Sequence, residues 1–377
     1  MRVCIPTFLT TSQKAGIAFY TINLIQALQE IDSDNEYFLL TYIGNDSMFE
    51  INKPNFRKVL VPFKERSRLH LRLFVFYYHT FRLRSFIKKN NIDLIHIPST
   101  WFVNSSYPTL ITIHDVVEFK IIRYSKVFSR IKQLMVKTAL KNARKIFTVS
   151  KSSKEDICSL GGKSEKVVVT YNGVNKNEIN ITSDEVRNKL NKYKLSPRKY
   201  FIFVGTAQFH KNIPRLIYAF DKLNNDFPEF KLVLAGKKDN ACNEIEDAIL
   251  SSGKSGQILQ LDYIDDVTKQ VLIKESAAFV FISLHEGFGM PILEANLLEA
   301  PLIVSNSSSL PEIAGNTALY VDPLNIDDIY NKMKLIIEDD QLKKNLIASA
   351  KSNLERFNWR ETAKITKDTY LKYSKCN

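Results

Sequence analysis

Short apolar runs along the chain alternate with longer segments in which apolar residues return every three or four positions. In the first half the short runs fall at 1–8, 36–43, 57–61, 93–97, 109–114, 145–149 and 166–170, and read as strands. Residues 17–31 form an amphipathic helical pattern, with Ile17, Thr21, Leu24, Leu28 and Ile31 on one face. Longer helical patterns cover 68–90 and 126–143, and Ser152-Ser153-Lys154-Glu155 reads as a capping box for a helix over 153–160. Strands alternating with helices predict a parallel sheet covered on both faces.

The pattern then starts again. Residues 172–198 are polar with one short helical run. Beyond them come strand-like runs at 200–204, 231–235, 257–261, 278–282, 302–304 and 318–321, with a helix predicted at 213–225. The chain therefore divides into two α/β domains, 1–178 and 179–357. A terminal segment, 358–377, carries a helix over 359–373 and is expected to pack back toward the first domain. Ligands of open α/β sheets bind at the carboxyl ends of the strands, so the chemistry is expected in loops that follow strands.

Charge changes the picture because it is uneven. Residues 1–180 hold 27 Lys and Arg against 14 Asp and Glu, so the whole net charge of +13 lies there. Residues 53–89 contain 11 basic residues and one acid, Glu65, and residues 120–154 contain 11 and none. Such a footprint suits an anionic partner, or is simply a solvated basic surface. Arg68 to Ile87 mixes Arg, Leu and aromatics as an interfacial helix does, although a core helix has a similar composition. Four scattered cysteines, Cys4, Cys158, Cys242 and Cys376, read as free thiols in a reducing compartment. The first residues read as a strand and not a signal peptide, and no apolar run is long enough to span a bilayer. Cytoplasm is the expected location, with the inner face of the plasma membrane as the alternative.

Three loops carry candidate chemistry. In His285-Glu286-Gly287-Phe288-Gly289-Met290-Pro291, a strand leads into a glycine turn, and Pro291 suits the first turn of a helix. The amides of Gly287, Phe288 and Gly289 would then form an anion site at a helix N-terminus, with Glu294 one turn on to chelate a ribose diol. A helix start with acids favouring its dipole is the plainer reading of the same residues. In residues 203–220, another strand, turn and helix start bring His210 and Lys211 forward, with Asn212 as the expected N-cap; Lys211 can pair with phosphate oxygens or be a solvated lysine. In residues 111–119, His114 and Asp115 follow a strand of the first domain; a buried, hydrogen-bonded histidine is the ordinary alternative to a functional one. Asp32-Ser33-Asp34 reads as a turn that ends a helix, not as a metal site.

Together these loops resemble a retaining glycosyltransferase of family 4. Glu286 and Glu294 match the family's E-x7-E motif, 204–212 its phosphate-grip segment, and 305–323 the segment after the E-x7-E helix. Residues 167–175 match the end of its N-terminal domain, and 113–115 its central histidine loop. The resemblance implies the GT-B fold, two Rossmann-like domains facing each other across a cleft. It implies that Glu286 and the 287–289 amides hold the donor sugar, Glu294 the ribose, Lys211 the diphosphate, with Gly16 near the donor and His114 near the reacting sugar carbon. His210 stands where many relatives have Arg, and Ala15-Gly16 where many have Gly-Gly. The implied reaction is retaining transfer from a nucleotide sugar, GDP-mannose first, with dTDP-rhamnose or a UDP-sugar as alternative donors. The acceptor would be a saccharide or polyprenyl-diphosphate-linked saccharide of O-antigen or capsule synthesis. No cofactor or metal is implied. A nucleotide-sugar epimerase, a phosphorylase and a glycosidase fit these motifs less well, and a nucleic-acid-binding protein rests on charge alone.

Overall fold

The computed structural model describes residues 1–10, 16–104, 106–120, 126–175 and 181–374. Lys14 and Ala15 of the first loop, and Cys376, lie outside them. The chain separates into two units, Met1–Gly173 with Asn358–Asn377, and Val174–Phe357. The division thus falls five residues before the boundary read from the sequence at 178.

The first unit is a seven-stranded sheet in the order β3-β2-β1-β4-β5-β6-β7 with every neighbouring pair parallel. Its strands are β1 (Arg2–Pro6), β2 (Glu36–Ile43), β3 (Phe56–Lys64), β4 (Leu94–Ile97), β5 (Thr109–Thr112), β6 (Lys145–Thr148) and β7 (Val167–Val169). The helices between them are α1 (Gly16–Ile31), α2 (Arg68–Tyr77), α3 (Leu83–Lys89), α4 (Val117–Lys120), α5 (Lys126–Asn142) and α6 (Lys151–Ser159). Central strands are buried on both faces, as a covered parallel sheet requires: Leu94–Ile97 is buried throughout. On α1, Thr21, Leu24 and Leu28 are buried as the periodicity predicts, but Ile17 at the start of that stripe is exposed.

Two local readings need correction. The helix cap after β6 is Ser150, whose hydroxyl accepts the N–H of Ser153 at 3.0 Å, and the helix runs Lys151–Ser159 in place of the box at 152–155. The helical pattern at 68–90 is two α-helices joined through a π-turn, Tyr78–Arg82. Its five-residue step lets Tyr78 and Leu83 both face the core beside Leu71, Val75 and Ile87.

The last helix, α15 (Trp359–Tyr373), packs along α1 and belongs to the first unit. Trp359 meets Phe19 and Tyr20 edge-on. Deeper in, a chain of polar groups crosses the core: the Tyr370 hydroxyl lies 2.5 Å from His96 Nδ1, His96 Nε2 lies 2.8 Å from Thr112 Oγ1, and that oxygen lies 3.2 Å from the Tyr20 hydroxyl. Burial drives the His96 pKa down to about 3, so the ring is neutral and this link holds at any ordinary pH.

Asp32 makes the other tie. It ends α1 as expected, its carboxylate accepting from the backbone of Asp34 and Asn35, from Asn35 Nδ2 at 2.7 Å and from the Tyr37 hydroxyl at 2.6 Å. Lys367 of α15 lies 3.3 Å away. Burial pushes this carboxyl's pKa up, but the hydrogen bonds from Asn35, Tyr37 and the backbone outweigh it and leave the pKa low. A depressed folded-state pKa stabilises above the usual carboxylate range and stops doing so as pH falls through it. Asp32→Ala is expected to cost about 3 kcal/mol at neutral pH, by urea unfolding, and the deficit should shrink below about pH 4.

The second unit repeats the plan with six parallel strands in the order β10-β9-β8-β11-β12-β13. Its elements are α7 (Ser183–Lys192), β8 (Tyr200–Val204), α8 (Ile213–Asp226), β9 (Lys231–Ala235), α9 (Cys242–Ser252), β10 (Ile258–Leu261), α10 (Asp266–Lys274) and β11 (Ala278–Phe281). They continue with α11 (Met290–Leu297), β12 (Leu302–Ser305), α12 (Leu310–Ala314), β13 (Ala318–Val321), α13 (Ile326–Glu338) and α14 (Asp340–Glu355). Chain order along the sheet reverses between β8 and β11. That is the topological switch point, where the loops leaving two adjacent strands diverge and open a crevice.

Candidate functional site

The loops leaving β8 and β11 therefore lie side by side at the switch point. A backbone bond stitches them together, the Leu284 N–H donating to the His210 carbonyl at 2.7 Å. This register brings Lys211 to Glu286: Nζ donates to Oε1 at 2.6 Å, and both side chains are largely buried. Lys211 also lies 4.8 Å from the centre of the Phe281 ring, and His210 Nε2 is 3.9 Å from the same Glu286 oxygen. Residues read separately from the sequence as a sugar contact and a phosphate contact thus form one ion pair.

Asn212 does not cap α8 with its side chain. Its backbone is left-handed, φ +61°, and its Nδ2 donates to the carbonyls of Ile282 at 3.2 Å and Pro323 at 2.6 Å. It thereby ties the β8 loop to the ends of β11 and β13. The expected cap is a strut, because the carbonyls it meets belong to chain segments far away in sequence.

The glycine loop is held from behind by serines that carried no specific assignment. Ser307 Oγ donates to the Leu284 carbonyl at 2.9 Å, and the Glu286 N–H donates to Ser308 Oγ at 2.9 Å. Ser309 Oγ donates to the carbonyls of Glu286 at 3.0 Å and Phe288 at 2.8 Å. Below them Ser305 Oγ donates to the Ser283 carbonyl at 2.6 Å. Four hydroxyls from the β12 end and its loop fix the backbone from 283 to 288. The run Ser305-Asn306-Ser307-Ser308-Ser309 was their signal in the sequence.

Phe288 is buried, its ring edge-on to Phe357 at 5.7 Å, so its side chain anchors the loop. Gly289 precedes α11 with φ +108°; a Cβ there would lie 2.8 Å from Leu310 Cδ2. The left-handed backbone is what calls for glycine, and a Cβ would in addition push the Leu310 side chain aside. Pro291 follows in the first turn of α11 as expected. Glu294, partly exposed one turn on, pairs with Lys269 of α10 at 2.9 Å. Lys269 had no sequence signal, since its partner lies on a separate helix.

On the other side of β8, a cavity of about 170 Å³ opens at the carboxyl ends of β8, β9 and β10. Gly205, Ala207, Gly236, Lys238, Gln260 and Asp262 are among its walls.

The remaining two candidates belong to the first unit. Gly16 is the first residue of α1. His114 follows β5, and its Nε2–H donates to the Pro98 carbonyl at 3.0 Å, while the Tyr20 ring meets it edge-on at 4.8 Å. Burial lowers its pKa, against the opposing pull of that carbonyl and Asp115. A neutral ring that donates through Nε2 keeps its lone pair on Nδ1.

Against family models, residues 15–178 match Glycosyltransferase Family 4 and residues 183–353 match Glycosyl transferases group 1. The chain belongs to these glycosyltransferases. Among curated relatives it is 27% identical to the O-antigen chain mannosyltransferase B of Escherichia coli over 280 residues, 74% of each chain. It is 28% identical to the O-antigen chain mannosyltransferase RfbU of Salmonella typhimurium over 320 residues, 82% of this chain and 83% of that one. The Anabaena HepE structure in complex with UDP-glucose superposes with a TM-score of 0.71 at 16% identity, covering 99% of this glycosyltransferase and 100% of that chain. At that identity the likeness establishes the fold, GT-B with two Rossmann-like domains.

In this glycosyltransferase Glu294→Ala tests the ribose role that the family resemblance implies for this carboxylate, and breaks only the Lys269 pair in a site that is otherwise intact. Nucleotide affinity should fall by about 1–3 kcal/mol, roughly tenfold or more, in calorimetric titration. The unliganded protein should unfold within about 1 kcal/mol of wild type, because the Lys269 pair is solvent-screened.

Proposed function

We propose that the protein transfers mannose from GDP-mannose, with retention at the anomeric carbon, to a saccharide or polyprenyl-diphosphate-linked saccharide in the synthesis of a bacterial surface polysaccharide. The observation that carries this reading is the Lys211–Glu286 pair at the switch point, beside the N-terminus of α11. Relatives named as O-antigen mannosyltransferases support the sugar and the pathway, and the neighbour holding UDP-glucose supports a nucleotide sugar as donor.

Loss of a nucleoside diphosphate leaves positive character on the sugar and builds negative charge on the leaving oxygen. Lys211 and the α11 N-terminus supply fixed positive charge for that oxygen, where water does not have to reorganise. In the unliganded protein Glu286 neutralises Lys211, so the buried lysine has a counter-ion until phosphate arrives. Once phosphate takes Lys211, Glu286 is released to accept from donor-sugar hydroxyls. Glu294 takes the ribose diol, and the cavity lined by Gly236, Lys238 and Asp262 takes the base. His114, assigned by family resemblance to the reacting sugar, contributes a neutral acceptor at Nδ1. The leaving phosphate takes the acceptor's proton, so no protein base and no metal is called for.

The test is slow hydrolysis of the donor without acceptor. GDP release from GDP-mannose should exceed nucleotide release from UDP-glucose and dTDP-rhamnose, and should be unchanged by EDTA. Rapid NMR should show α-mannose first. Initial β-mannose would exclude retention, and preference for a UDP- or dTDP-sugar would replace the donor.

A further inference from the structure

Three strand ends in the second unit frame a cavity whose polar rim has no assigned task. Backbone bonds fix the frame: the Gly205 N–H donates to the Ala235 carbonyl at 2.9 Å, the Gly236 N–H to the Leu261 carbonyl at 3.1 Å and the Ala207 N–H to the Lys237 carbonyl at 2.9 Å. The space is about 170 Å³, below the roughly 300 Å³ at which sites for drug-sized molecules begin. It suits one part of a sugar nucleotide. Phe203, Ile213, Leu234 and Ile245 line it and are buried, so its inner walls are apolar. Lys238, Gln260 and Asp262 line it too, and all three are exposed. Apolar walls with polar groups at the rim match a planar base better than a sugar, which carries hydroxyls on every side.

The rim groups are available to a ligand. Among the described residues, the Asp262 carboxylate and the Gln260 amide have no hydrogen-bond or ion-pair partner. Lys238 pairs with Glu246 at 3.6 Å, and both side chains are more than half exposed. Solvent screens such a pair, so exchanging it for a contact with a base oxygen costs little.

An ionised carboxylate only accepts, and its two oxygens can take two adjacent N–H donors at once. Guanine presents such a pair, N1–H beside the N2 amino group, with the O6 acceptor next in line. Uracil and thymine present one N–H between two carbonyl oxygens, so one carboxylate oxygen would face a carbonyl. Adenine sets its amino group beside an unprotonated N1. A carboxylate at the rim therefore favours guanine over the other three. Lys238, from the loop of the neighbouring strand, adds the donor that O6 calls for.

We propose that Asp262 is the residue that selects the base, its carboxylate accepting from guanine N1–H and the N2 amino group while Lys238 donates to O6. The inference rests on the proposed nucleotide-sugar reading of this unit, and adds the side chain on which the choice of nucleotide turns.

The experiment is calorimetric titration of the full chain, wild type and Asp262→Asn, with GDP, UDP and the diphosphates of inosine and xanthosine. Wild type should bind GDP about tenfold tighter than the inosine form, which lacks the N2 amino group, and tighter still than the other two. An amide at 262 can donate to the 2-oxygen of xanthine. Asp262→Asn should therefore lose about tenfold or more for GDP and bind xanthosine diphosphate better than GDP. Its unfolding midpoint should not move, since the side chain is exposed. Cys242, partly exposed in the cavity wall, reports where the base sits: GDP should slow iodoacetamide labelling of its peptide and leave that of Cys158, in the first unit, unchanged. A variant that still prefers GDP to xanthosine diphosphate, or GDP binding that leaves Cys242 unprotected, would overturn this inference and leave the donor reading standing. Preference of wild type for UDP, or no binding of any of the four, would overturn the donor reading and this inference with it.

Discussion

Replacing Glu286 with Gln is expected to lower turnover of the donor by about 10²–10³-fold, the usual loss when one preorganised electrostatic contact is removed from a transition state. The substitution keeps the size of the side chain and should leave the loop in place, because backbone bonds with Ser308 and Ser309 hold residue 286 from behind. What it removes is the negative charge that Lys211 touches at 2.6 Å. A lysine with no competing carboxylate meets phosphate at least as readily, so affinity for bare nucleotide is expected to hold or rise. Low turnover with intact nucleotide binding marks a group that acts on the sugar. Steady-state hydrolysis and calorimetric titration on one preparation check it; equal losses in both would make Glu286 a nucleotide ligand and reverse its role relative to Glu294.

The second large effect is structural. Gly236→Ala is expected to destabilise the protein by about 4 kcal/mol or more, the range of severe single substitutions. Gly236 closes β9 with φ +140°, and a Cβ there would lie 2.1 Å from the Gly205 carbonyl oxygen. That oxygen is backbone, on the neighbouring loop of the cavity beside β8 and β9, and has no rotamer to move away. Gly253 is the control. Its φ is +66°, yet nothing lies within 4 Å of its added Cβ. Gly253→Ala should cost only about 1–2 kcal/mol for the left-handed backbone. Urea unfolding of the two variants separates collision from conformational preference; similar midpoints would mean that the Gly205–Gly236 approach is looser than described.

Much of this architecture was legible in the chain because each parallel strand, buried on both faces, writes a short apolar run. The runs at 200–204, 231–235 and 278–282 correspond closely to β8, β9 and β11. The site loops were legible for a related reason: glycine, proline and charged residues collected after those strands. What stayed hidden was long-range. Asn212 has the residue type of a cap, and only the carbonyls of Ile282 and Pro323 make it a strut. Ser307 and Ser309 carry no role of their own in the 305–323 segment until the 284–288 backbone is beside them. Lys269 is one lysine on an ordinary helix until α11 brings Glu294 to it. The segment at 68–90 had two readings from composition, core helix or interfacial helix. The structure gives it a buried stripe and an exposed apolar one, so the core-helix reading describes one face only.

The central claim is that the second unit binds a nucleoside diphosphate sugar through the E-x7-E loop and Lys211. The most direct measurement is thermal unfolding of the full chain with GDP, UDP, dTDP and ADP, then with the corresponding sugar nucleotides, beside Glu294→Ala. A ligand at 100 times its Kd stabilises by about 2.7 kcal/mol, enough to raise the midpoint by a few degrees. The account predicts that one nucleotide, GDP first, stands out with its sugar derivative, and that the rise shrinks in Glu294→Ala. No shift with any of them, or an undiminished shift in Glu294→Ala, would contradict it.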